Sequence, residues 1–107
     1  MPHFMTQFSY TPAAWKLMVQ NPQDRESALR DLAAKMNAKV VCMYFTAGEY
    51  DGVGIIDAPD DETVNAMIFA VTGAGHVKAT RTTRLYTMAE VLKSLNKAKA
   101  ITYSSPK

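Results

Sequence analysis

The chain has 107 residues, about one domain's length, with 48% hydrophobic and 21% charged side chains and five Gly and five Pro, which excludes collagen-like, low-complexity and disordered classes. Twelve basic against ten acidic side chains leave a formal charge of +2, too little to make nucleic acid or an anionic membrane the default partner. A chain of this size buries roughly 60 to 68% of the surface its unfolded form exposes, so a single protomer has a modest core and gains from association.

His3 to Tyr10 sets Phe4, Phe8 and Tyr10 against Gln7 and Ser9 with period two, the pattern of a strand with one apolar face. Thr11 caps a short helix with Pro12 at its first position, and Asn21-Pro22 restarts a second one with Asp24 in the first turn. In that second helix Leu29, Leu32, Ala33 and Met36 form a buried stripe, while Arg25, Arg30, Asp31 and Lys35 fall on the solvated face. Lys39 to Thr46 and Tyr50 to Asp57 are β-branched and aromatic, and the short Ala47-Gly48-Glu49 between them predicts an antiparallel hairpin. Pro59 closes the third strand and Asp60 caps a helix with Val64, Met67, Ile68 and Val71 at helical spacing, stopped by Gly73 and Gly75. Val77 to Leu85 is threonine-rich and carries Lys78, Arg81 and Arg84, as an edge strand does. Thr87-Met88-Ala89-Glu90 forms a capping box, with Tyr86 and Val91 as a staple, for a last helix through Leu92 and Leu95.

The order is βαββαβ plus a terminal helix, the split βαβ arrangement, with an expected strand order of 4-1-3-2 and both crossover helices on one face of the sheet. All 107 residues read as one domain, 1–99 as its core and 100–107 as a tail. Val40 through Phe45 and Val53 through Ile56 are nearly continuous apolar runs, so both faces of the sheet want burial. A second copy, packed sheet against sheet, is the expected cover; the alternative is the terminal helix folding over its own open face. The lone Cys42 excludes an internal disulfide and fits a reducing cytoplasm. Neither a signal-peptide pattern nor an apolar run of bilayer length is present, so a cytoplasmic protein without membrane contact is expected.

The hairpin carries Gly48-Glu49-Tyr50-Asp51, followed by an apolar strand ending Asp57-Ala58-Pro59-Asp60-Asp61, with Ser9-Tyr10-Thr11-Pro12, Trp15-Lys16 and Thr80-Arg81-Thr82-Thr83 elsewhere. This ordered set resembles the GYD domain family, whose biochemical role is uncharacterised, over nearly the whole chain. The resemblance implies a ferredoxin-like α+β sandwich of the dimeric α/β barrel group, whose wider membership includes cofactor-independent monooxygenases, isomerases and ligand-sensing modules. Gly52 and Gly54 depart from the branched residues expected after the motif and thin one face, which makes room for a ligand or marks a bulge.

Two clusters of candidate chemistry follow if strands one and three run parallel. Their starting ends then bring His3 to Tyr50 and Asp51, a trio for proton transfer in which Asp51 orients His3 or acts as base and Tyr50 serves an oxyanion. The opposite rim then collects Tyr10, Asp57 and His76, with Trp15 nearby, a possible general base among aromatic walls. The competing readings are turn chemistry for Gly48, Tyr50 and Asp51, helix capping for Asp57, and core packing for Tyr10 and Trp15. No zinc spacing links His3, His76 or Cys42, and Gly73-Ala74-Gly75 follows a helix instead of a strand, so neither a metal nor a nucleotide cofactor is expected. The seven methionines read as packing residues, and the basic residues from Lys78 to Lys99 as a solvated strip with no aromatic signature for RNA. The expected function is binding of a small apolar organic ligand by Tyr10, Trp15, Gly52 and Gly54 in a cleft of a homodimer. The alternatives are a cofactor-independent monooxygenase or isomerase using Asp51 or His76, and a purely structural or interaction module.

Overall fold

In the computed structural model, which describes residues 1–107, the elements follow the expected order. They are β1 (His3–Tyr10), α1 (Pro12–Gln20), α2 (Arg25–Lys35), β2 (Lys39–Phe45), β3 (Gly52–Asp57), α3 (Asp61–Gly73), β4 (Val77–Leu85) and α4 (Met88–Lys99). Each helix starts at a side chain that accepts a hydrogen bond from an otherwise unpaired backbone N–H: Thr11 from Ala14, Asp24 from Ser27, Asp60 from Thr63 and Thr87 from Glu90. Glu90 completes the capping box of α4 by accepting from the Thr87 N–H, and that bond is the first cause holding its carboxyl below the usual glutamate range.

The strands form one sheet in the order β2-β3-β1-β4, antiparallel throughout, which is the ferredoxin-like α+β arrangement. One expectation is corrected: β1 and β3 are antiparallel, with His3 opposite Asp57 and Phe8 opposite Gly52. The reason is topological. A crossover helix makes β1 and β2 parallel, and the hairpin then reverses the chain, so β3 between them opposes both.

Alternation sends Phe4, Thr6, Phe8 and Tyr10 toward the helices, and the register adds Gly52, Gly54 and Ile56 to the same face. In β2 the register shifts between Val40 and Cys42, so Val40, Met43 and Phe45 join that face while Cys42 and Tyr44 turn to the other. Only 15 residues are buried, and the apolar ones divide into two clusters: Phe4, Ala33, Val40, Ile56, Ala58, Val64 and Met67 at one end, Phe8, Tyr10, Ala14 and Val77 at the other. Between them, Gly54 lies between Thr6 of β1 and Met43 of β2 in the register.

The far face of the sheet carries Met5, Val53, Ile55 and Cys42, all partly exposed, with Tyr44 at 66% exposure. Helix α4 buries none of its residues, and Met88, Leu92 and Leu95 are more than half exposed, so it does not close that face. Residues 100–107 are exposed and irregular. The radius of gyration, 17.6 Å, exceeds the roughly 13 Å expected of a compact chain this long, and the longest dimension is 59 Å. No helix is long and apolar enough to cross a membrane.

Candidate ligand-binding cleft

Helix α2 packs over β2 and α3 over β4, the two outer strands. The central strands therefore floor a groove between the helices. It is a cavity of about 120 Å³ whose floor is Thr6, Phe8, Gly54 and Ile56, with Leu29 and Leu32 on the α2 wall and Val64, Met67, Ile68 and Val71 on the α3 wall. Eleven of its fifteen lining residues are hydrophobic, and the polar exceptions are Thr6, Thr80 and Arg25. A cavity of this kind, apolar with a few polar groups at the edge, suits a small organic molecule.

The two glycines of β3 differ. A Cβ on Gly52 would lie 2.4 Å from Cζ of Phe8, so the Phe8 ring already occupies the space that Gly52 leaves. Gly52 makes room for a core ring, and the expectation that it admits a ligand is corrected on this point. At Gly54 the nearest atoms to such a Cβ are the Cys42 carbonyl oxygen and Leu29 Cδ2, both at 3.8 Å, and Gly54 lines the cavity.

The antiparallel register also re-sorts the polar candidates. His3 and Asp57 come together at one end of the sheet, where His3 Nδ1 and Asp57 Oδ1 form a hydrogen-bonded pair with side chains a third and a fifth exposed. Asp51 lies at the opposite end, away from His3. Its Oδ2 accepts from the Tyr10 N–H at 2.9 Å and from Trp15 Nε1 at 3.3 Å, while its own N–H donates to the Phe8 carbonyl at 2.9 Å. The Asp51 carboxylate thus ties the hairpin to the β1–α1 junction. Tyr50 sits in the same turn, its carbonyl accepting from the Thr46 hydroxyl. Tyr10 and Trp15 belong to an aromatic cluster, with Tyr10 edge-on to Phe8 and to Trp15 at 5.5 Å each and Phe45 at 6.1 Å from Tyr10. The grouping of Tyr10 with Asp57 is therefore not formed, whereas Tyr10 and His76 do meet across a second cavity of about 90 Å³ that includes Arg25 and Gln23. His3 and His76 stand at opposite ends of β1, and no group of three His, Cys, Asp or Glu residues is placed to hold a metal ion.

Burial raises the Tyr10 phenol above its ordinary pKa, the Arg25 charge and an Arg25 hydrogen bond oppose that shift, and the Asp51 charge adds to it. Arg25 is the residue the sequence reading misplaced. It is not on the solvated face but lines both cavities. The signal was its spacing, since Arg25, Leu29 and Leu32 stand at i, i+4 and i+7 and so share one stripe.

Fold and cleft together define a ferredoxin-like α+β protein with a small, mostly apolar site between sheet and helices. The chain belongs to the GYD domain family, whose model matches residues 4–95. A curated relative, the glutamine synthetase and cystathionine beta-lyase binding protein of Thermus thermophilus, is 28% identical over 78 residues, 73% of this chain and 82% of the relative. Among solved structures, the crystal structure of MtbAldR superposes with a TM-score of 0.53 at 19% identity, covering 80% of this chain and 52% of that one. This chain spans about half of MtbAldR, and the likeness is one of fold.

Proposed function

We propose that this chain is a cytoplasmic, homodimeric binding protein that holds a small, largely apolar organic molecule in the cleft between its sheet and its helices. The observation that carries this reading is the cavity over Gly54, between two core clusters that do not meet. Empty apolar cavities of about 150 Å³ bind benzene-sized molecules, which sets the scale for the 120 Å³ here. The dimer is supported by the apolar far face of the sheet and by α4, whose exposed Leu92 and Leu95 give a second copy more surface to cover. Native and denaturing mass spectra of one freshly purified sample test both parts. A dimer carrying excess mass that disappears on denaturation is expected; clean polypeptide mass, with no small apolar molecule retained on addition, overturns the ligand, and a monomer overturns the dimer.

A second reading is favoured by the Thermus relative, which is named for the enzymes it binds. The exposed far face and α4 then dock on an enzyme, and light scattering on the free chain would return a monomer. The enzymatic alternative rests chiefly on the half-buried His3–Asp57 pair, because the Asp51 carboxylate is engaged by two N–H donors.

A further inference from the structure

We infer that the molecule held in the cleft is a small carboxylate, with its hydrocarbon body over Gly54 and its carboxylate on Arg25 at the mouth. This rests on the reading of the cleft as a ligand site and names the chemistry of that ligand. Arg25 is the residue common to the linings of the apolar cavity and the smaller one, so its side chain bridges them. Its Nη1 donates to Gln23 Oε1 at 3.0 Å, and it shares the lining of the smaller cavity with Tyr10. That bond orients the guanidinium without neutralising it.

The ion pairs of the structure are His3 with Asp57, Arg30 with Glu26 and Arg84 with Glu90, and Arg25 is in none of them. The acids flanking it in sequence are committed elsewhere. Asp24 caps α2 by accepting from the Ser27 N–H, and Glu26 Oε2 accepts from Arg30 Nε. Asp51, the acid on the far side of Tyr10, accepts from Tyr10 and Trp15. What remains is a planar cation with spare donors at the edge of an apolar cavity, and the group that matches such a fork with two coplanar oxygens is a carboxylate.

The size of the cavity limits the body. At about 120 Å³ it is somewhat smaller than a benzene-binding cavity, so a body of roughly five or six carbons, aromatic or branched aliphatic, is the most it holds. Thr6 and Thr80 add hydroxyls to an otherwise apolar lining.

The test uses the full chain labelled at its methionine methyls, because Met43 and Met67 line the cavity whereas Met1 and Met88 are exposed far from it. Benzoate and benzamide share a body and differ in charge, and 4-methylpentanoate and its amide repeat the comparison. Each acid is expected to shift Met43 and Met67 with a Kd about tenfold or more below that of its amide, as a charge-assisted hydrogen bond in a partly buried site gives. Arg25→Gln, at the half-buried start of α2 where Gln is a good helix former, is expected to bring the Kd of each acid to that of its amide. Arg25→Lys keeps the charge but not the fork and should fall between. Equal affinities of acid and amide, or an Arg25→Gln protein that still prefers the acid, overturn the anionic head while the cleft reading stands. No response of Met43 or Met67 to any of the four at millimolar concentration overturns both.

Discussion

The two ends of the four-residue stretch from Asp51 to Gly54 belong to different kinds of interior. Around Asp51 and Gly52 everything is filled and tied, with Phe8 over Gly52, Tyr10 between Phe8 and Trp15, and the Asp51 carboxylate bridging strand and helix. Around Gly54, two residues along the same strand and on the same face, a cavity remains between the sheet and the walls of α2 and α3. Both positions lack a side chain, yet one absence admits a core ring and the other leaves a cavity. The difference lies in the opposing residue of β1, Phe8 across from Gly52 and the short Thr6 across from Gly54, while on the β2 side Gly54 faces Met43, which lines the cavity. A glycine in a strand is therefore uninformative about ligands until its cross-strand partner is known.

Gly52→Val should break the filled end most severely. Its first added carbon already meets Phe8 Cζ at 2.4 Å, so the ring must leave its place in the aromatic cluster, and a loss of stability of about 1–3 kcal/mol or more is expected from overpacking. Urea unfolding measures it. A double variant that also carries Phe8→Leu should recover part of the loss; a simple sum of the two single effects would show that the ring is not what Gly52 accommodates.

Next in size is Asp51→Ala. It removes the acceptor of the part-buried Tyr10 N–H and of the exposed Trp15 indole N–H, which water then takes, and the expected cost is about 1–2 kcal/mol, with Asp51→Asn costing less because an amide oxygen still accepts. Trp15 fluorescence should change in both, being the only tryptophan in the chain. An Asp51→Ala protein as stable as the parent would remove the tie on which the filled end rests.

Smaller and opposite in sign is Gly54→Ala. The new methyl has ordinary contacts at 3.8 Å, and relief of glycine's backbone entropy should stabilise the strand by about 0.5–1 kcal/mol. The same methyl intrudes on the cavity, so stability should rise as small-molecule binding weakens. A loss of stability at Gly54 matching that at Gly52 would erase the contrast between the two sites.

Much of this was legible in the chain. The period-two pattern of Phe4, Phe8 and Tyr10, the capping residues Thr11, Asp60 and Thr87, and the short hairpin gave the elements, and their order gave the sheet. The pairing of polar residues failed at one step, the direction of β3, which moved Asp57 to His3 and left Asp51 with Tyr10 and Trp15. A cleft over Gly54 was legible, but its size was not, because that depends on how far apart α2 and α3 lie over the outer strands, a lateral distance that no local periodicity encodes. Nor was the shift between Val40 and Cys42, which puts Met43 on the cavity side and Cys42 on the other, since one extra residue in a strand leaves no mark in an apolar run.

The subtlest difference between the filled end and the hollow middle lies in Tyr10, which belongs to the first and touches Arg25 of the second. Burial is the main cause that raises its pKa above 10.0, and Arg25 pulls it partly back through its charge and a hydrogen bond. The folded protein therefore favours the neutral phenol. Its contribution to stability is fully present below the unfolded value near 10.0 and is lost as pH rises through the higher folded value. Replacing Arg25 with Gln removes both of the influences that lower the pKa, so Tyr10 should ionise at a still higher pH, followed by the ring-carbon resonance of labelled tyrosine. A carboxylate bound on Arg25 should act in the same direction by offsetting the guanidinium charge. A Tyr10 titration indifferent to Arg25→Gln would mean that the guanidinium does not reach the phenol, and that its bond to Gln23 alone orients it.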